Sequence, residues 1–236
     1  MKKIIYSFIL FCSMVTFIGC EEITTEDPSR LTHYVAFELK GDAIQLVTVN
    51  TPFVDPGVNA TLKGADALSR VEVSGAVDAN TIGLYKVTYS AENEDGYTTS
   101  ISRTVIVCNP AITADMSGTY KVAAGSHRMR LGTKVSFSGY PITVTKVAPG
   151  FFSVSDFFGG YYYPRLAASG YSVVYTATGY VALNSDNTLS LLSSGVKGWG
   201  DALDGMENGK YDPTAGTIYW EASYAGSMTF FITLTK

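Results

Sequence analysis

Residues 84–91 read Leu84-Tyr85-Lys86-Val87-Thr88-Tyr89-Ser90-Ala91, and their alternation decides the fold class. Tyr85, Val87, Tyr89 and Ala91 fall on one face, and Lys86, Thr88 and Ser90 on the other, because successive side chains of an extended chain point to opposite sides. A period of two carried by aromatic and β-branched residues predicts a half-buried strand. Asp95-Gly96 follows as a hairpin turn, since glycine tolerates the positive φ of a type I′ turn. The return strand is expected over Thr98 to Val107, with Ile101, Val105 and Val107 to one side. Upstream, Asp55-Pro56-Gly57 marks a turn after a strand over Ala43–Val49.

The same signal continues to the carboxy terminus. Strands are expected over Pro141–Ala148, Tyr171–Leu183, Thr188–Ser193, Thr217–Ser223 and Ser227–Thr235, joined at Ser185-Asp186-Asn187 and Tyr211-Asp212-Pro213-Thr214-Ala215-Gly216. In the last strand Met228, Phe230, Ile232 and Leu234 alternate with Thr229, Phe231, Thr233 and Thr235. No apolar stripe of helical period runs for three turns. The expectation is an all-β protein, with seven or eight strands in residues 111–236 forming an antiparallel β-barrel or sandwich.

Composition divides the chain near Asn109-Pro110. Cys20 to Pro110 carries thirteen acidic residues against six basic, whereas Ala111 to Lys236 carries eight against nine and twenty of the thirty aromatics. Two domains are therefore expected, 31–109 and 111–236, each folding on its own core. The net charge of −4 and the lack of a Lys/Arg run exclude the electrostatic footprint of a nucleic-acid binder.

At the amino terminus Lys2 and Lys3 precede an apolar run from Ile4 to Ile18, interrupted by Ser7, Ser13 and Thr16. That is a charged region and a short hydrophobic core, the pattern of a signal peptide over residues 1–19. Phe17-Ile18-Gly19-Cys20 resembles the lipobox of bacterial lipoproteins, although leucine is usual where Phe17 stands. The resemblance implies cleavage before Cys20 and its acylation, which partners the protein with membrane lipid. Glu21-Glu22 and Glu26-Asp27 resemble the signal that sends Bacteroidetes-type lipoproteins to the outer face of the outer membrane. Residues 20–30 also read as a polar tether that buries no core. With Cys12 removed and Cys20 lipidated, Cys108 stands alone and no intramolecular disulfide is available.

Two further resemblances bear on the folded part. Phe53-Val54-Asp55-Pro56-Gly57-Val58-Asn59-Ala60, Gly83-Leu84-Tyr85-Lys86-Val87-Thr88-Tyr89, Asp95-Gly96 and Arg103-Thr104-Val105-Ile106-Val107 resemble, in order, a bacterial immunoglobulin-like family related to pesticidal-crystal-protein and hyalin-type repeats. That implies an immunoglobulin-like β-sandwich over residues 31–109 acting as spacer, with no catalytic residues. Ser117-Gly118-Thr119-Tyr120, Gly159-Gly160-Tyr161-Tyr162 and Tyr211-Asp212-Pro213 through Trp220 resemble carboxy-terminal modules of uncharacterised Bacteroidetes lipoproteins. Those are often encoded beside polysaccharide-uptake systems.

Residues that could carry chemistry are few. His33 and His127 lie in no metal-ligand spacing, so neither a metal nor a cofactor is expected. Ser126-His127 are adjacent and read as a turn. Ser194-Gly195-Val196-Lys197 and Ser185-Asp186-Asn187 mimic a penicillin-recognising enzyme in reversed order. Glu92-Asn93-Glu94-Asp95-Gly96 lacks the later acidic ligand of a calcium loop. Asp201, Asp204 and Glu207 form an acidic trio too local to be read as a glycosidase pair. No catalytic residue is assigned.

The remaining surplus is aromatic. Tyr161, Tyr162 and Tyr163, flanked by Asp156 and Arg165, and Trp199 between Gly198 and Gly200, are the candidate ligand-binding residues: rings stack on sugar C–H faces, and a carboxylate and guanidinium suit hydroxyls. Consecutive tyrosines on a strand would point alternately, leaving at least one ring outward. Cross-strand packing in a barrel is the competing role, whereas Trp220, sharing a face with Ile218 and Ala222, reads as core. Three functions stay open: a non-catalytic glycan-binding accessory of a polysaccharide-uptake system, a scaffold docking on an outer-membrane transporter, and a lipocalin-like binder of a small ligand.

Cys20→Ala is expected to leave the precursor uncleaved or free of the membrane, because both processing and acylation need that thiol. Palmitate labelling and membrane fractionation that match the parent would rule out the lipoprotein reading.

Overall fold

The computed structural model describes residues 31–236; the signal segment, Cys20 and the tether lie outside the described residues. Among the described residues seventeen strands make three sheets. Before residue 110 these are β1 (Ala36–Leu39), β2 (Ile44–Thr48), β3 (Val58–Leu62), β4 (Ala65–Asp66), β5 (Glu72–Ser74), β6 (Gly83–Glu92) and β7 (Thr98–Cys108). One sheet is ordered β1-β3-β4 and the other β2-β7-β6-β5, with β2 parallel to β7 and the remaining pairs antiparallel. This is the immunoglobulin-like domain. The alternating face of β6 is buried as expected at Val87, Tyr89 and Ala91, and Val105 and Val107 oppose it from β7.

The turn at Asp95-Gly96 departs from the two-residue expectation. The β6–β7 ladder ends at Glu92 with Thr98, leaving five residues between, and Asn93 organises them by accepting the N–H groups of Asp95 and Tyr97 on its side-chain oxygen. Gly96 keeps the positive φ that the turn reading required.

Arg103 sits among the inward residues of β7 and is fully buried. Its guanidinium donates to the carbonyls of Lys40, Asp42 and Gly57, and its Nε lies 3.5 Å from Asp55 Oδ1. Asp55 also accepts from Tyr89 Oη at 2.5 Å and from Gly57 N at 3.1 Å. The Asp-Pro-Gly turn is therefore tied through one carboxylate to both central strands.

The second half comprises β8 (Gly118–Val122), β9 (His127–Arg130), β10 (Thr133–Ser136), β11 (Pro141–Ala148), β12 (Phe151–Val154), β13 (Thr178–Leu183), β14 (Leu189–Gly195), β15 (Gly205–Asp212), β16 (Thr217–Tyr224) and β17 (Met228–Thr235). They form one antiparallel sheet in the order β10-β9-β17-β8-β11-β12-β13-β14, with β16 and then β15 added along β17. The sheet curls into a half-barrel rather than a two-sheet sandwich. Its far edges meet at one bridge, Thr188 with Lys210, and at Tyr211 N to Asn187 O, 2.9 Å. Alternate residues of β16 and β17 fill the concave side: Ile218, Trp220, Ala222, Phe230, Ile232 and Leu234 are buried.

The expected Tyr171–Leu183 strand is broken. Only Thr178–Leu183 pairs, and Val173–Tyr175 forms a 3₁₀ turn whose Val173 carbonyl takes the Thr176 hydroxyl. The two halves meet where Ile106 and Cys108 of β7 pack on Ala148 and Phe151, with Tyr180 and Leu192 alongside. Burial there pushes the Cys108 thiol pKa up.

Arg103→Ala leaves three carbonyls and Asp55 without their cation, so it is expected to cost about 3–5 kcal/mol in urea unfolding of the full chain. A loss under about 1 kcal/mol would show that water replaces the guanidinium.

Candidate ligand-binding face around Trp199

Tyr161, Tyr162 and Tyr163 do not lie on a strand, as their expected alternation required; they belong to residues 156–166. These residues fold as successive turns into the concave face of the half-barrel and fill it with Phe157, Phe158, Tyr161 and Tyr162. Asp156 holds this plug. Only 3% exposed, it accepts Phe158 N and Ala177 N on Oδ1, both at 2.9 Å, and Gly160 N on Oδ2 at 2.8 Å. Trp220 Nε1 donates to Phe157 O at 2.9 Å, fixing the plug from the sheet side. The glycine pair is required by space: a Cβ on Gly159 would stand 2.7 Å from Ile232 Cδ1, and one on Gly160 2.5 Å from Tyr140 Cβ. Burial pushes the Asp156 pKa up to about 7 despite three N–H bonds that favour its anion.

Three candidates are thereby corrected. Asp156 is a structural carboxylate facing inward, and Tyr161 and Tyr162 are core rings at 5% and 7% exposure. A plug that turns on itself has no strand alternation to aim rings outward. The same rings occupy the interior that a lipocalin-like ligand would need. Tyr163 is 37% exposed, but it faces a separate apolar depression beside Pro164, Ile142 and Val173. Arg165 is half-buried, its Cζ 4.7 Å from the Tyr161 ring centroid.

Trp199 is 40% exposed and set on a closed turn. Val196 O accepts both Trp199 N and Gly200 N, Val196 N donates to Asp201 O, and Gly198 N donates to Val174 O. Gly198 is needed because a Cβ there would lie 2.6 Å from the Tyr175 ring. The indole packs against Tyr162 at 4.8 Å, Tyr175 at 4.9 Å, Tyr224 at 5.7 Å and Tyr171 at 6.1 Å between centroids. Its free side opens on a pocket of about 280 Å³ lined by Ser169, Gly170, Tyr171, Tyr175 and Trp199. Tyr224 donates to both oxygens of Asp201, and burial with that carboxylate raises its pKa. Rings, hydroxyls and glycine backbone offer stacking and hydrogen bonding.

Tyr171 and Tyr175 had no separate signal in the sequence, since both fell inside the expected strand. Asp204, Ser194 and His127 serve the fold itself. Asp204 accepts Gly226 N, Ser194 Oγ accepts Leu203 N, and His127 stacks on Phe231 at 4.6 Å. Among the described residues no cluster of His, Cys, Asp or Glu is placed to hold a metal, and no helix is long and apolar enough to cross a membrane.

Comparison with known proteins gives two family matches: a bacterial surface protein Ig-like domain over residues 37–107, and a "-like, C-terminal domain" family over residues 109–236. The crystal structure of the lipoprotein BT2262 from Bacteroides thetaiotaomicron is 41% identical, covering 86% of this chain and 100% of that one, at a TM-score of 0.49. A structure of the M60 catalytic domain with CBM51-1 and CBM51-2 of Clostridium perfringens ZmpB is 17% identical over 52% of this chain and 14% of that one, TM-score 0.28. One of CBM51-2 with GlcNAc and INT domains from the same protein is 19% identical over 51% and 28%, TM-score 0.26. Likeness as slight as in these last two carries no argument about ligand or fold. No curated protein matches.

A carboxyl whose pKa rises from 3.8 to about 7 on folding keeps its proton in the folded state while the unfolded chain has lost it. Its contribution to stability is complete below pH 3.8 and is lost as pH rises through 7. The stability difference between the parent and Asp156→Asn should therefore shrink as pH is raised, read by urea unfolding from about pH 4 to about pH 8. A flat difference would mean that Asp156 folds as its anion. Asp156→Ala, which strands three N–H groups, should cost about 3 kcal/mol or more.

Proposed function

This chain belongs to the family of the Bacteroides thetaiotaomicron lipoprotein BT2262, and from that premise we propose that it is a lipid-anchored, non-catalytic accessory protein that binds a glycan on its Trp199 face. Cys20 supplies the anchor, residues 20–30 the tether, and the immunoglobulin-like domain the spacer. The location is the outer membrane, facing the exterior, beside a polysaccharide-uptake system. The observation that carries the glycan reading is the state of Trp199: an indole with 40% of its surface exposed, on a hydrogen-bonded turn, braced by four tyrosine rings and open to a shallow pocket. A large ring left in water at a fixed position presents a flat apolar face, which is what a pyranose C–H face requires.

A second reading is favoured by a separate surface. Ile44 and Leu46 on β2 and Leu84 on β6 are exposed beside Ile106, which the second half covers. This apolar strip suits docking on a protein such as an outer-membrane transporter. Replacing Leu46 and Leu84 by Asp should then break co-purification with that transporter while leaving glycan binding intact.

Trp199→Ala is the test of the first reading. Loss of a stacking ring should weaken binding on a glycan array by about 1–3 kcal/mol with folding retained. A variant with a lowered melting temperature, from a parent that binds no glycan on the array, would overturn the reading and favour docking.

A further inference from the structure

Three arginines surround the Tyr161–Tyr162 pair of the plug. Arg128 and Arg130 lie on β9 opposite Phe230 and Met228. Paired residues of an antiparallel ladder share a face, so both arginines project to the side where Phe230 and Met228 meet the plug. Arg128 Cζ lies 4.9 Å from the Tyr161 ring centroid and Arg165 Cζ, from the plug itself, 4.7 Å. The Arg128 Nε is buried and has no hydrogen-bond partner.

Among the described residues none of the three is in an ion pair. The ion pairs of the described residues are Lys63 with Glu94, Arg103 with Asp55 and Lys146 with Asp115. Asp201 instead accepts the Tyr224 hydroxyl and Asp204 accepts Gly226 N. Burial raises the pKa of the Tyr162 hydroxyl, with Tyr161 and Tyr171 adding to the rise, and Arg128 and Arg130 lie close enough to oppose it. Two buried rings link this cluster to the proposed binding face: Tyr161 meets Tyr162 at 5.0 Å, and Tyr162 meets Trp199 at 4.8 Å. Guanidinium forks match the geometry of a carboxylate or sulfate and hold their charge at every physiological pH.

We propose that Arg128, Arg130 and Arg165 form an anion-recognising subsite beside Trp199, and that the ligand is an acidic saccharide bearing a carboxylate or a sulfate. This rests on the Trp199 face being a glycan site and specifies the glycan. On this proposal a ligand stacked on Trp199 extends a neighbouring sugar ring to the arginines, and its anion supplies the ion-pair partner that the described residues do not.

The test is titration calorimetry of the full chain in detergent with oligogalacturonate, a sulfated chondroitin oligosaccharide, a neutral galactan oligosaccharide and poly-L-glutamate. At least one acidic saccharide should bind about tenfold or more tighter than the neutral one, and which of the two does so separates carboxylate from sulfate. Raising the salt from about 0.05 to about 0.5 M should erase that preference. Arg130→Gln, at an exposed position, and Arg165→Gln should each weaken the acidic ligand about five- to tenfold and leave the neutral one unchanged. Equal binding of acidic and neutral saccharides, lost on Trp199→Ala but indifferent to both arginine variants, would overturn the acidic-ligand proposal and leave the glycan reading standing. Arginine-dependent binding of poly-L-glutamate with no saccharide bound would overturn both, as would no binding of any probe.

Discussion

Asp156 places two carboxylate oxygens where no water reaches and gives them N–H groups from Phe158, Gly160 and Ala177. The first two donors close the plug on itself. The third comes from the segment that returns to β13, so one side chain fastens a turn-rich excursion to the strand that follows it. An open curled sheet of ten strands has a concave side too wide for its own alternating residues to fill. The plug meets that need with four rings, and their packing is mainly edge-on: Phe158 meets Tyr162 at 5.2 Å and Tyr224 at 4.9 Å, and Phe157 meets Trp220 at 5.5 Å. Without its anchor the plug would leave unsatisfied backbone N–H groups inside an apolar interior, at a cost of about 1–3 kcal/mol each.

The immunoglobulin-like half solves a related problem with a buried cation. Arg103 lies where periodicity calls for an apolar residue, and it gathers three carbonyls from the loops at one end of the sandwich. Asp55 completes the set and passes the constraint to Tyr89 in the central strand. Each half thus has one buried titratable side chain that organises irregular backbone, while regular strands supply the area from which burial draws its stability. The strand β7 belongs to both arrangements, since Val105 and Val107 face the sandwich core while Ile106 and Cys108 face the second half.

Alternation made much of this legible. Pro141–Ala148 coincides with β11, and the strict in–out pattern of β17 follows from Met228 to Thr235 as expected. Strands whose residues argue against strand were missed: β9 reads His127-Arg128-Met129-Arg130, and β15 carries Asn208 at φ 52° beside a register shift. The tyrosine run was legible as aromatic surplus but not as a plug, because its anchor is a contact between Asp156 and Ala177 that no local period records. The exposure of Trp199 could be foreseen from its flanking glycines. Its neighbours Tyr171 and Tyr175 could not, since the break in the chain after Tyr175 depends on Ala177 being drawn to that distant carboxylate. Arg128 and Arg130 acquire meaning only from their register against Phe230 and Met228.

The bracing of Trp199 by Tyr162, Tyr171, Tyr175 and Tyr224 has a thermodynamic consequence of its own. A ring already wedged gives up little rotamer freedom when something settles on it, so the entropic cost of capture falls mostly on the incoming molecule. A pocket of about 280 Å³ accommodates little more than a single sugar ring, and contact over so small an area is weak and quickly reversed. Such a site gains strength by repetition. With the proposed lipid anchor and glycan ligand, many copies in one membrane would meet a long polymer at many points together, turning brief single contacts into lasting retention through effective concentration.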